Sequence, residues 1–297
     1  MKDLYNFGNT LDRDIGSFSG FIGSRAAIVE STPPFVGALD ALVGQGATVA
    51  RAWSQRRLLS SYVGAADILR GDGTGSPEAT INYLASGDYD LTAAEAARVA
   101  GGGSQAFRKT WYDQTGNSNA TQGTAAKQPF FTTSVRAKGA IGGIDSPDCY
   151  LSFSGSIAQP FFIYAIVTFT SAGANRYVVG GTFTTATYLR CGSLATLTAN
   201  YGATLISVGG ADSADSLALL GNGGSSKLYN NGSIVVSGNA GASAMPSSSR
   251  IGSGGTGLSS WFTNAENTIS ELIIFGSDPT GLAGWSDFET AARAYYA

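Results

Sequence analysis

The chain has 297 residues and no histidine. Without imidazole it cannot run a Ser-His-Asp or Cys-His nucleophile or histidine proton transfer, so acid–base chemistry falls to carboxylates, with Tyr, Lys or Cys in support. The densest cluster of chemically useful groups is Trp111-Tyr112-Asp113-Gln114-Thr115-Gly116-Asn117, where Asp113 is the only carboxylate between Glu95 and Asp145. Ring faces stack on the apolar face of a sugar while polar neighbours take its hydroxyls. Trp53, Trp111, Tyr112, Asp113 and Trp261 are therefore the candidate carbohydrate-binding residues. The same Asp-Gln-Thr-Gly run suits an acid that accepts hydrogen bonds from its own strand-ending turn, and Asp113 is expected on balance to be that brace. Glu271, alternating with apolar neighbours, is expected on the solvent side of a strand or bracing a loop. Asp88-Tyr89-Asp90 and Asp212 to Asp215 lack the ligand density of a calcium loop, and neither a metal nor a cofactor is expected.

These residues must be positioned by strands. Charged residues make up only 13% of the chain, and 41 glycines separate short apolar runs, which suits a many-turned β-sandwich. Alternating or apolar runs at Tyr150 to Ser154, Phe161 to Thr170, Tyr177 to Gly181, Thr187 to Cys191, Leu205 to Val208, Leu217 to Leu220 and Ile269 to Phe275 predict strands. Asn231-Gly232 between two such runs predicts a tight hairpin. Thr92…Glu95 and Ser286…Glu289 have capping-box spacing and predict two helices. In the second, Phe288, Ala292, Tyr295 and Tyr296 fall on one side, which should lie across the sandwich. The basic run around Arg51, Arg56 and Arg57 is expected to be solvated or ion-paired.

Residues 1–38 differ from the rest. Phe7, Phe18, Phe21 and Phe35 sit among glycines with no amphipathic period, so this segment is expected to be an extended arm whose aromatics are covered by another subunit. Residues 39–297 are expected to form one domain. A net charge of −3 gives no footprint for nucleic acid, and the longest apolar run, Phe161 to Val167, is far short of a membrane span. The N-terminal residues contain no apolar signal core, which points to synthesis in a cytoplasm. Cys149 and Cys191 are expected to be buried thiols of a reducing compartment.

Ordered motifs support a resemblance. Leu228-Tyr229-Asn230-Asn231-Gly232, Ser249-Arg250-Ile251-Gly252 and Ile269-Ser270-Glu271-Leu272-Ile273-Ile274-Phe275 resemble the LamG-like, concanavalin A-like jelly roll. Val49-Ala50-Arg51-Ala52-Trp53-Ser54-Gln55-Arg56-Arg57-Leu58 and the Trp111 to Asn117 stretch resemble the catalytic domain of α-L-arabinofuranosidase B. The resemblance runs from about Leu39 to the C-terminus and implies an all-β jelly-roll sandwich with short helices. That family hydrolyses terminal arabinofuranose with two carboxylates, and a retaining pair stands only about 5 Å apart. As the motifs align, Phe161 occupies the position of the family's nucleophile and Gly254 that of its second carboxylate.

The loss of both positions leads to the expectation of a non-enzymatic protein. The arm, the low charge and the missing secretion signal add the expectation of a bacteriophage virion component, such as a tail fibre, baseplate or head decoration. Its expected partners are other copies and other virion proteins through the arm, with cell-surface polysaccharide as a further contact. The alternatives are a lectin-like carbohydrate-binding module outside a virion, or an arabinofuranosidase-like glycoside hydrolase whose carboxylates have moved.

Overall fold

The computed structural model describes residues 34–72, 77–100, 104–132, 140–142, 149–169, 176–181, 188–191, 196–206, 215–253 and 267–297. Phe7, Phe18, Phe21, Gly254 and Trp261 lie outside them. In chain order the elements are α1 (Asp40–Gly44), β1 (Val49–Ser54), β2 (Asp67–Gly71), β3 (Glu78–Ile81), α2 (Leu91–Ala100), β4 (Ala106–Trp111), β5 (Ala120–Thr121), β6 (Phe130–Thr132), β7 (Ala140–Gly142), β8 (Leu151–Ser154) and β9 (Phe161–Thr168). They continue with β10 (Arg176–Gly181), β11 (Tyr188–Cys191), β12 (Leu197–Asn200), β13 (Thr204–Ile206), β14 (Ser216–Gly221), β15 (Ser226–Asn230), β16 (Ser233–Gly238), β17 (Ser248–Ile251), β18 (Thr268–Phe275) and α3 (Trp285–Tyr296).

All the strand pairings are antiparallel, and they resolve into two layers, so the chain is an all-β sandwich of the jelly-roll class. One layer runs β16-β15-β14-β9-β18-β1. The other runs β5-β8-β17-β10-β11-β12-β13, and β4 connects its β5 edge to β2 and β3. Short β6 and β7 bridge the layers between β4 and β18.

Parity along β9 shows what holds the layers. Phe161, Ile163, Ala165 and Val167 enter the core between the sheets, with Leu272 and Ile274 of β18. Phe162, Tyr164 and Ile166 point the other way, into a second core with Ile273 and Phe275. That second core is closed by α1 through Leu42 and by α3 through Trp285, Phe288, Ala292 and Tyr296. A strand buried on both faces must be apolar without alternation, which is why Phe161-Phe162-Ile163-Tyr164-Ala165-Ile166-Val167 is continuous. Each large side chain so buried stabilises the fold by about 1.5–3 kcal/mol. A third, smaller cluster sits under α2, where Ala94 and Ala97 meet Leu69, Ile81 and Ala106.

The two expected capping boxes do not form. In α2 the cap is Asp90, whose Oδ1 accepts the Ala93 amide at 2.9 Å, while Glu95 turns outward to Arg98. In α3 no side chain caps the first turn, and Glu289 is buried, accepting the Ser216 hydroxyl at 3.0 Å. Glu289 is captured because it falls on the buried side of α3. The hairpin does form: Asn231 and Gly232 have φ of 47° and 79°, the two positive angles of a type I′ turn. A Cβ on Gly232 would lie 2.6 Å from Glu289 Oε2. Gly232→Ala is therefore expected to destabilise the protein by about 1–3 kcal/mol in chemical denaturation, and an unchanged midpoint would contradict this account of the turn.

Candidate functional site

The Asp113 motif positions the site without being exposed to it. Asp113 Oδ1 accepts the amides of Ala52 (2.8 Å) and Thr115 (3.0 Å), and Oδ2 accepts the Ser118 amide (2.9 Å) and the Thr115 hydroxyl (2.8 Å). The Arg51 guanidinium lies 3.9 Å away. Gln114 continues the brace: its Oε1 accepts the Leu58 amide at 2.6 Å, and its Nε2 donates to the Arg56 carbonyl at 2.8 Å. Consecutive side chains thus pin β1 and the segment that follows it. Asp113 is 1% exposed with its oxygens filled, which corrects its candidacy as a ligand-contacting residue.

Trp53 and Trp111 need the same correction, since both are wholly buried in the inter-sheet core and offer no ring face to solvent. Trp53 packs on Phe153 with ring centroids 4.8 Å apart. The Trp111 indole donates to the Ser54 carbonyl at 3.4 Å, with the Arg108 guanidinium 4.7 Å from its ring. Tyr112 keeps partial exposure beside Tyr62, whose phenol is pushed up to about 12 by burial and then by the neighbouring Tyr112 and Asp113. Phe161 is buried edge-on to Tyr201, centroids 4.7 Å apart, so the position aligned with the family's nucleophile is core.

The expectation for Glu271 is also corrected. It does face away from Leu272 and Ile274, but that side of β18 is covered by α3, and Glu271 is 0% exposed. Buried carboxylates require partners, and here Arg56 supplies a bidentate pair, Nε to Oε2 at 2.8 Å and Nη2 to Oε1 at 3.0 Å. The Ser54 and Tyr296 hydroxyls also donate to Oε2, at 2.8 and 3.2 Å. Burial alone would lower the Arg56 guanidinium, but the adjoining carboxylate raises it above its ordinary value. The cation also lies 5.3–6.0 Å from the ring centroids of Phe288, Tyr295 and Tyr296.

Outside this pair the surface opens into a cavity of about 170 Å³, lined by Phe35, Arg56, Arg57, Ser86, Asp88 and Tyr295 among others. Tyr295 donates to Asp88 Oδ1 at 2.7 Å, and the Ser86 hydroxyl to Oδ2 at 2.9 Å. Burial, then Asp88 accepting its proton, raises the Tyr295 phenol, which stays protonated and acts as a donor. The Arg57 guanidinium lies 3.7 Å from the Phe35 ring centroid. Consecutive tyrosines at the end of α3 therefore reach two carboxylates, Asp88 in the cavity and Glu271 behind it.

The sequence offers Glu271, with Asp113, as a remaining candidate carboxylate, but it does not mark Asp88, Tyr295 or the pairing of Glu271 with Arg56. The usable signal was a carboxylate in a strand that an amphipathic helix must cover, since such an acid needs a buried cation. Among the described residues no group of carboxylates and cysteines is arranged to hold a metal.

No protein-family model and no curated protein matches this sequence. Solved structures do. An arabinofuranosidase complexed with arabinofuranosyl-α-1,2-xylobiose is similar at TM-score 0.61 and 18% identity over 88% of this chain. A GH54 α-L-arabinofuranosidase soaked with a cyclic sulfate inhibitor is similar at TM-score 0.58 and 16% identity, also over 88%. This chain spans 64% of the length of those proteins. At such identities the likeness is one of fold. It nevertheless corrects the expectation of a non-enzymatic protein, because the solved structures that share this sandwich over most of the chain are those of enzymes.

The site geometry makes two stability predictions. Arg56→Met should cost about 3–5 kcal/mol by leaving Glu271 buried without its cation, while the double change with Glu271→Leu should recover much of that loss. Asp113→Ala should cost about 1–3 kcal/mol by orphaning the Ala52 and Ser118 amides. Urea denaturation reads all three, and a single-variant cost under about 0.5 kcal/mol would refute the assigned role.

Proposed function

We propose that the protein acts on carbohydrate as an arabinofuranosidase-like glycoside hydrolase whose carboxylates stand at positions other than those of Phe161 and Gly254. The observation that carries this reading is the match to arabinofuranosidase structures over 88% of the chain. Hydrolysis of a glycosidic bond asks for an acid and a second carboxylate on either side of the bond. Asp113 and Glu271 do not serve, because their oxygens are consumed by the amides and the guanidinium that hold β1 in place. Residues 1–38 would, as a separate proposal from the sequence alone, join copies of the chain or attach it to a particle.

The reading is tested by incubating the full chain with 4-nitrophenyl α-L-arabinofuranoside and with arabinose-bearing polysaccharide from about pH 4 to 7, the range in which carboxylate pairs work. Release above the uncatalysed rate is expected, and none on any substrate would end the proposal. Phe161→Leu should keep turnover within about twofold. Phe161→Glu, which restores the family's residue, should unfold the protein instead of raising activity, because it buries a carboxylate in the inter-sheet core at a cost of several kcal/mol.

A further inference from the structure

We infer that β16 is a docking edge for a second copy of this chain, whose own β16 adds to it antiparallel about a two-fold axis. The inference stands on the finish of the sheet and is independent of what the chain acts on.

The two edges of the layer β16-β15-β14-β9-β18-β1 are finished differently. Along β1, groups that point away from β18 are met one by one. The Ala50 carbonyl accepts the Thr115 hydroxyl at 3.3 Å and the Asn117 side-chain amide at 3.1 Å, and the Ala52 amide donates to Asp113 at 2.8 Å. The Ala52 carbonyl accepts the Gln114 amide at 2.8 Å, and the Ser54 carbonyl accepts the Tyr83 hydroxyl at 2.9 Å. The Asp113 clamp thus occupies the side that another strand would take. β16 pairs with β15 alone, and among the described residues none bonds to the other side of Ser233–Gly238.

This open strand is held in place. The Asn231-Gly232 turn starts it, Val236 packs against the inter-sheet core, and a Cβ on Gly238 would lie 3.0 Å from the Leu205 side chain. An unpaired backbone row already fixed in extended form is a template for an added strand.

Its side chains select the partner. Protected edges carry Lys, Pro or other charges, whereas β16 reads Ser233-Ile234-Val235-Val236-Ser237-Gly238, with Ile234 52% and Val235 40% exposed. Both are β-branched, the type that packs well against a neighbouring strand. Residues 228–249 hold no charge at all, so the edge can face its own copy without the like-charge repulsion that opposes self-pairing. A two-fold axis sets Ser, Ile and Val against Ser, Ile and Val, which is a self-complementary contact. Because β1 is closed, addition through this layer stops at two copies. Val235 is the extra residue of a bulge opposite Leu228 and Tyr229, which twists the edge and keeps the contact short. Its 6 residues span about 20 Å, and so short a contact falls below the ~1,200 Å² of a standard stable interface, so the dimer is expected to be reversible.

Sedimentation velocity of the full chain over a wide range of concentration, with amide hydrogen exchange at the two extremes, tests the inference. A monomer–dimer equilibrium is expected, with amides of residues 233–238 exchanging about fivefold or more slower in the concentrated sample. Ile234→Lys and Val235→Lys, which bring like charges together across the axis, should each raise the dissociation constant about fivefold or more while melting like the parent. A monomer at every concentration would overturn the inference. So would a β16 that already exchanges slowly in the dilute monomer, because its edge would then be covered within one chain. A dimer whose protection lies elsewhere, or one that both folded lysine variants leave unchanged, has the same consequence. Protection of β16 by an added uncharged peptide of alternating Thr and Val, with none from a second copy, would assign the edge to a foreign strand and overturn self-pairing. Should either variant unfold, the position of the protection in the parent decides.

Discussion

Strands β9 and β18 are buried on both faces, and the rest of the molecule follows from having to cover them. Their inner faces meet the opposite sheet; their outer faces need a lid, which α1 and α3 provide. Once α3 is laid down, anything polar on that side of β18 is cut off from water. Glu271 is there, so Arg56 must be brought beneath the helix, with Ser54 and Tyr296 satisfying one of the carboxylate oxygens. The burial of the sheet and the placement of the ion pair are one constraint.

The same constraint creates the cavity. Arg56 can reach Glu271 only if the segment after β1 is held against the sheet, and Asp113 and Gln114 do this by binding the Ala52 and Leu58 amides. With Arg56 turned inward, Arg57 turns outward to Phe35, and the end of α3 brings Tyr295 to Asp88 while Tyr296 goes to Glu271. Adjacent residues on two segments thus divide their roles, one turned to the buried ion pair and one to the cavity wall. A motif that reads as an active-site rim proves to be the clamp that sets a different surface in place.

Much of the architecture was legible in the chain. Continuous apolar runs with β-branched and aromatic residues gave the central strands, Asn231-Gly232 gave the hairpin, and the spacing of Phe288, Ala292 and Tyr296 gave a helix lying on the sandwich. Asp113 with its Thr and Gly neighbours was recognisable as a turn brace because such bonds are local. The capping residues were misjudged since Thr92 competes with Asp90, and Glu289 with a buried hydroxyl, on terms that spacing does not contain.

By itself the sequence determined the class of fold, the turns and which residues are apolar, because these depend on propensity and on neighbours a few positions away. Only the tertiary structure decided which aromatics are core and which carboxylates are spent. Trp53 and Trp111 lost their faces to the inter-sheet core, Glu271 was matched to a cation 215 residues distant, and one cavity was assembled from segments around Phe35, Arg57, Asp88 and Tyr295. Burial and pairing are properties of three-dimensional neighbours, and those neighbours are fixed by how the sheets and α3 close over one another.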